Sequence, residues 1–213
     1  MTLLIISIDG PDFSGKSTIA NLALEFLRRK NRDKDIVFKR TAVPSELITG
    51  SFTRILRNSK DKITAEEYAL TYALDHLHHY NNVIKPLEES NKNIVVILER
   101  SLLSTFIYQS LIGKTDIAWI KEINKYCKTK PFLTLILRVN INELLNRMRL
   151  EKRGFDRFEV EQHIRKQCEV YYNLPEELRR EFNMEYIDAD DDALNVAERI
   201  ADRVQEVIDE FFK

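Results

Sequence analysis

The chain has 213 residues, enough for one well-buried core with room for an inserted lid. Lysine and arginine total 33 against 34 aspartates and glutamates, so a net charge of −1 supplies no global attraction to nucleic acid. No apolar run approaches the roughly 18 residues of a membrane span, and MTLLIISI lacks the basic flank and small-residue cleavage site of a signal peptide, so a cytoplasmic protein is expected.

The elements alternate in type along the chain. LLIISID (3–9) reads as a buried strand, and STIANLALEFLRRK (17–30) has helical apolar spacing with a basic end suited to a helix C-terminus. DIVFKR (35–40) is the second strand. SELITGSFTRILRN (45–58) and the long stretch 64–90 are helical, and Pro86 is expected to kink or interrupt the latter. NIVVILER (93–100) is the third strand, with helices near 101–112 and 116–127 after it. FLTLILRV (132–139) is the fourth strand, and a helix follows over 140–152. A further helix is expected over 160–178, then a fifth strand, MEYIDA (184–189). An amphipathic helix over 191–212 closes the chain, with Asp190 or Asp191 as its N-cap. Cys127 and Cys168 have no metal-type spacing and are expected as two free thiols.

Five buried-type strands separated by helices predict an α/β fold: a five-stranded parallel sheet with helices on both faces and right-handed crossovers. No repeat or linker divides residues 1–213, so a single domain is expected. The one local departure in composition is RMRLEKRGFDRFE (147–159).

GPDFSGKST (10–18) joins the first strand to the first helix. Gly10, four residues, then Gly15, Lys16 and Ser17 make the phosphate-loop pattern. Glycines let the backbone turn its N–H groups inward onto an anion, and the following helix adds the positive end of its dipole. Lys16 would reach the outer phosphates, and Ser17 would offer a hydroxyl to Mg²⁺. A chance turn could match the pattern, but here the required strand precedes it and the required helix follows. The motif fixes a nucleoside triphosphate and Mg²⁺; it leaves the acceptor open.

Three further segments bear on the acceptor. The third strand ends in Glu99-Arg100, which puts a carboxylate and a guanidinium at the sheet's C-terminal edge beside the loop. Arg147, Arg149, Arg153 and Arg157 crowd the segment around Gly154, which reads as an arginine-bearing lid that closes over the transferred phosphoryl and excludes water. In ALTYALDHLHHY (69–80), Tyr72 reads either as core packing or as a ring stacked on a base. His76, His78 and His79 have no carboxylate or thiol completing a metal site at local spacing, and are expected on a helix surface.

Taken together, GPDFSGKST, LTYALDH, LERSLLSTFIYQ and RLEKRGFDRFE, in that order, resemble the thymidylate kinases of the nucleoside monophosphate kinase group of P-loop kinases. The resemblance covers nearly the whole chain. It implies transfer of the γ-phosphoryl of ATP to dTMP, giving dTDP and ADP on the way to dTTP, with Mg²⁺ as cofactor and a homodimer formed through helices near 64–90. It places Gly10, Phe13, Ser14, Gly15, Lys16, Ser17 and Thr18 on ATP, and Ser17 with Glu99 near the metal. It places Asp12, Arg40, Tyr72, His76, Arg100, Ser104, Thr105 and Tyr108 on the acceptor: Tyr72 stacked on thymine, Ser104 and Thr105 at the base, Tyr108 under the deoxyribose, Arg100 on the phosphate. Because Phe13 stands where one subgroup has its catalytic arginine, the resemblance assigns that role to the lid, through Arg149 or Arg153, beside Asp12, Lys16 and Arg100.

The chain also departs from the family pattern. It has Glu99 where Asp is usual, Ser101 where an aromatic is usual, and His76 where an arginine is usual. KRTAVPSELITG (39–50) lacks the usual Glu-Pro pair. Two alternatives stay open at this point: a P-loop kinase for another nucleoside monophosphate or a deoxynucleoside, and a nucleotide-dependent switch.

Overall fold

The computed structural model describes residues 2–150 and 161–213. Five parallel strands form one sheet in the order β2-β3-β1-β4-β5: β1 Leu3–Asp9, β2 Ile36–Ala42, β3 Asn93–Glu99, β4 Leu133–Arg138 and β5 Met184–Asp188. The helices are α1 Lys16–Lys30, α2 Ile48–Asn58, α3 Ala65–His79, α4 Lys85–Glu88, α5 Leu102–Thr105, α6 Ile117–Ile123, α7 Ile141–Leu150, α8 Glu161–Tyr172, α9 Glu176–Glu181 and α10 Ala193–Phe211.

The central strands are apolar on both faces because both are covered. Leu4, Ile6 and Ile8 of β1 join Val95 and Ile97 of β3 and Leu133, Leu135 and Leu137 of β4 against α1, α7 and α10. The alternate positions face the other way: Ile5, Ile94, Val96 and Leu98 pack on Tyr80 and Ile84, while Ile136 packs on Leu103, Phe106 and Tyr171. The period-2 alternation of side chains thus splits one apolar run between two cores.

Three elements differ from the sequence expectation, each for a local reason. The helix over 64–90 survives Pro86. Proline has no N–H to give and its ring crowds the preceding turn. The helix accommodates this by widening: Tyr80–Ile84 is a π turn closed by the Lys85 N–H on the Tyr80 carbonyl, and α4 continues beyond it. A second π turn, Phe106–Ile112, follows α5. The helix expected over 160–178 divides into α8 and α9 around Pro175, which disfavours helical backbone in the residue before it. The third strand stops at Glu99, because Arg100 takes a φ of 61°.

The segment that leads into α2 is pinned from α3. Fully buried Asp75 accepts the Ser45 N–H at 2.7 Å and the Ser45 and Thr49 hydroxyls at 2.6 Å each. This brings the Ser45 backbone hard against Gly50, where an added Cβ would stand 2.0 Å from the Ser45 carbonyl oxygen. Alanine usually stabilises a helix interior relative to glycine, by about 1 kcal/mol. Here Gly50→Ala is expected to destabilise instead, by about 2 kcal/mol or more through overpacking. Urea denaturation followed by circular dichroism checks the sign.

Candidate active site

The loop after β1 is shaped by its glycines and by Asp9. The Asp9 carboxylate is fully buried and takes the Gly10 N–H at 2.8 Å. Gly10 and Gly15 have φ of 147° and 85°, in the region that only glycine enters freely. Gly15 caps α1 without a side chain, so the first N–H groups of a 15-residue helix point out of its N-terminus. The Lys16 ammonium folds back over the loop, donating to the Gly10 carbonyl at 3.0 Å, the Pro11 carbonyl at 2.6 Å and the Ser14 hydroxyl at 3.3 Å. Burial, and then the nearby Arg100 charge, push Lys16 down to about 7 against the attraction of Asp12 and Asp9. Ser17 and Thr18 are exposed at the start of α1, and the Ser17 hydroxyl donates to Glu99 Oε2 at 2.6 Å. Phe13 holds a φ of 65°, and its carbonyl lies 3.5 Å from Nη1 of Arg147 on α7.

Beside this loop is a cavity lined by Asp12, Val43, Arg57, Tyr72, His76, Arg100, Ser101, Ser104, Thr105, Tyr108 and Gln109. One end is charged. The Arg100 guanidinium pairs with Asp12, lies 3.7 Å from Asp9 and donates to the Tyr108 hydroxyl at 3.3 Å. Burial works against its charge, but Tyr108, Asp12, Tyr171 and Asp9 outweigh it and hold its pKa above the ordinary value. For Asp12, burial is likewise the largest single influence and raises the pKa; Arg100, Lys16 and Arg57 together win and hold it below the usual range. Gln167 on α8 clamps Asp12 from behind, accepting its N–H at 2.8 Å and donating to its carboxylate at 3.0 Å. Asp9 also takes the Tyr171 hydroxyl at 2.7 Å and the Ser104 hydroxyl at 2.8 Å.

The other end is polar and uncharged. His76 is buried with Nε2 3.2 Å from the Thr105 hydroxyl, and burial pushes its pKa down to about 4. Gln109 is buried, and its Oε1 has no hydrogen-bond partner among the described residues. Tyr72 lines the same space.

Seven of the eight acceptor-side residues named from sequence therefore meet around one cavity. The eighth, Arg40, instead pairs with Glu99, on the Ser17 side of the sheet edge. Arg149 lies 3.5 Å from Glu161 and is largely exposed. Arg153 and Arg157, with the rest of the segment 151–159, lie outside the described residues. The histidines correct the expectation of a surface helix face: His76 and His79 are buried, and His79 Nε2 meets the Thr41 hydroxyl at 2.7 Å. Asp9, Arg57, Gln109, Gln167 and Tyr171 were not singled out by sequence reasoning. A polar residue closing an apolar strand was the available signal for Asp9, and the final Gln of LERSLLSTFIYQ for Gln109; the others lie in ordinary helical patterns.

A loop for a triphosphate beside a cavity with a cationic and a neutral end is the layout of a nucleotide kinase. A family model described as thymidylate kinase matches residues 8–200. The chain belongs to the thymidylate kinase family. A thymidylate kinase of Brachyspira hyodysenteriae is 30% identical over 203 residues, covering 95% of this chain and 93% of that protein. A probable thymidylate kinase of Thermococcus kodakarensis is 33% identical over 184 residues, covering 81% and 84%. The crystal structure of a thymidylate kinase from Ehrlichia chaffeensis superposes with a TM-score of 0.69 over 96% of this chain and 99% of that one; at 19% identity it speaks for the fold alone. Membership of the thymidylate kinase family makes this chain a nucleotide-binding phosphotransferase.

The buried imidazole gives a pH signature. Between about pH 6.5 and 4 the unfolded chain takes up a proton at position 76 that the folded chain refuses, so stability falls as pH drops through that window. The contribution is about 3 kcal/mol. His76→Asn is expected to flatten the fall, with His79 supplying a remainder of the same sign. Urea midpoints at pH 6.5 and 4.5 for both proteins measure it; parallel falls would show His76 to be solvated.

Proposed function

We propose that the thymidylate kinase reaction runs across the gap between the loop 10–18 and the cavity around Arg100, with ATP on the first and dTMP in the second. The carrying observation is the position of Asp12. It belongs to the phosphate loop, lines the cavity, and pairs with Arg100. The donor and acceptor sites therefore share a wall, as in-line transfer needs.

The loop N–H groups and Lys16 hold the outer phosphates of ATP. Lys16 then exchanges its bonds to the Gly10 and Pro11 carbonyls for phosphate oxygens, and its charge is favoured by the anion it meets. Arg147, already over the loop at Phe13, borders the donor side. Arg100 receives the phosphate of dTMP. The base lies toward Tyr72, His76, Thr105 and Gln109. The buried Gln109 Oε1 needs a donor, and the N3–H of thymine is one. No general base is required, since a nucleoside monophosphate already carries an anionic oxygen near neutral pH. Residues 1–213 act as one kinase domain, with 147–159 as its lid. The protein works in the cytoplasm, where the free thiols of Cys127 and Cys168 stay reduced.

Mg²⁺ fits the residues present. Ser17 and Glu99 offer a hydroxyl and a carboxylate already in contact, and Mg²⁺ takes such hard oxygens together with substrate phosphates. When bound it would supply charge neutralisation on the phosphates.

The protein works as a homodimer. The exposed apolar residues Ile48, Phe52 and Ile55 on α2 and Leu70 and Leu74 on α3 are between 46% and 79% accessible. They recur at helical spacing on two helices that pack together, forming an apolar face for a second copy.

The test is an acceptor panel with ATP and Mg²⁺: dTMP, dUMP, other monophosphates and thymidine. ADP formation is expected to depend on dTMP and to be poor with thymidine, which offers Arg100 no phosphate. ADP released regardless of acceptor would instead identify a hydrolytic switch. Lys16→Ala is expected to lower kcat by about a hundredfold or more, the loss of roughly 3 kcal/mol of transition-state stabilisation. Sedimentation tests the dimer: the wild type should sediment as two chains and Leu74→Glu as one. A monomeric wild type at micromolar concentration would refute it.

A further inference from the structure

We propose that Gln167 is a positioning residue that assigns the Asp12 carboxylate to Arg100 and so leaves the Lys16 charge for the donor's phosphates. This rests on the reading of the loop as the ATP site and of the cavity as the acceptor site. Gln167 is fully buried on α8 and touches Asp12 twice. Its Oε1 accepts the Asp12 N–H at 2.8 Å, and its Nε2 donates to Asp12 Oδ2 at 3.0 Å. Arg100 takes the other carboxylate oxygen, Oδ1. The Asp12 N–H can only donate and its carboxylate only accept, so a primary amide meets both needs in a single orientation.

The assignment matters because Asp12 lies in the field of two cations, Arg100 and Lys16. A carboxylate that swung onto Lys16 would neutralise the ammonium a triphosphate needs. It would also take a counter-charge from buried Arg100. Among the described residues, the hydrogen bonds of Lys16 go instead to neutral groups: the Gly10 and Pro11 carbonyls and the Ser14 hydroxyl. With one carboxylate oxygen on Arg100 and the other on Gln167, Asp12 is held away from that exchange.

The helix that carries Gln167 is itself anchored to the sheet edge. One turn further on, the Tyr171 hydroxyl donates to Asp9 at 2.7 Å. The Tyr172 hydroxyl accepts the Val139 N–H at 2.9 Å and donates to the Val139 carbonyl at 2.7 Å. Gln167 therefore reaches the phosphate loop from a fixed support, as a side chain that orients another must.

Calorimetry with ATP and with dTMP, each added alone to Gln167→Met, tests the assignment. The Kd for ATP should rise about fivefold or more, because a released Asp12 competes with the triphosphate for Lys16. The Kd for dTMP should stay the same or fall, since Arg100 loses a competing counter-charge. Adding Asp12→Asn should abolish the effect: with no carboxylate to swing, Gln167→Met should change the ATP Kd by no more than about twofold. Gln167→Ala leaves room for water at the Asp12 N–H and supplies the same readout if the methionine variant folds poorly. An ATP Kd within twofold of wild type in both variants would overturn the inference. So would an equal loss of ATP and dTMP binding, or a loss of ATP affinity that persists in full beside Asp12→Asn. A wild type that binds neither nucleotide would overturn the reading of the two sites; a wild type that binds both, with indifferent variants, overturns only Gln167.

Discussion

A guanidinium taken out of water must be surrounded by its own counter-charges, and Arg100 is the residue around which this sheet edge is built. Isolated, its burial would cost several kcal/mol. Asp12 comes from the phosphate loop, Asp9 from the end of β1, Tyr108 from the second π turn and Tyr171 from α8. Four separate parts of the chain thus converge on one side chain. The backbone contributes as well: Arg100 accepts a φ of 61°, unusual outside glycine, while its N–H still bonds to the Ile8 carbonyl at 3.0 Å. That combination ends the strand and turns the side chain toward the cavity. Removing either carboxylate would strand a buried charge, and the same carboxylates shape the loop that grips the donor.

Lys16 shows the complementary logic. Its ammonium is buried against the carbonyls of its own loop, and it has the Arg100 charge nearby. Burial and like charge both disfavour the protonated form, which brings its pKa to about 7. An anion arriving at the loop reverses both influences at once. On the proposed reading of the loop as the ATP site, a Lys16 left under-compensated by the protein is stabilised by the nucleotide it meets, so part of the affinity would come from relief of an electrostatic cost already present in the fold.

How much of this could be read from the chain depends on how local each signal is. The strands are apolar runs between helical patterns, and the phosphate loop is nine consecutive residues; both are properties of neighbours in sequence. Tyr72, His76, Arg100, Ser104, Thr105 and Tyr108 were found because two short segments carry them. Gln167 reaches Asp12 across 155 positions and Tyr171 reaches Asp9 across 162, and no spacing rule spans such distances. The burial of His76 and His79 was missed because three histidines within four residues look polar, whereas α3 turns two of them inward, onto Thr105 and Thr41. Pro86 signals a disturbance in the sequence, but where a kink or break is expected the structure has a widened turn, with helix on either side of it.

On the proposed reading of the cavity as the acceptor site, its two ends favour one orientation of the acceptor. A phosphate at the His76 end would face an imidazole that burial keeps neutral, with no compensating cation among the residues lining that end. A base at the Arg100 end would leave its own polar edge against a guanidinium already committed to Asp12. The reverse placement satisfies both: charge meets charge beside Lys16, while Gln109 and Thr105 offer the neutral hydrogen-bonding groups that a pyrimidine edge can use. Orientation therefore follows from desolvation cost alone, before any specific contact is counted. On that proposed reading it sets the acceptor's phosphate on the side of Asp12 where the phosphate loop lies, an arrangement that lets one group pass directly between the two.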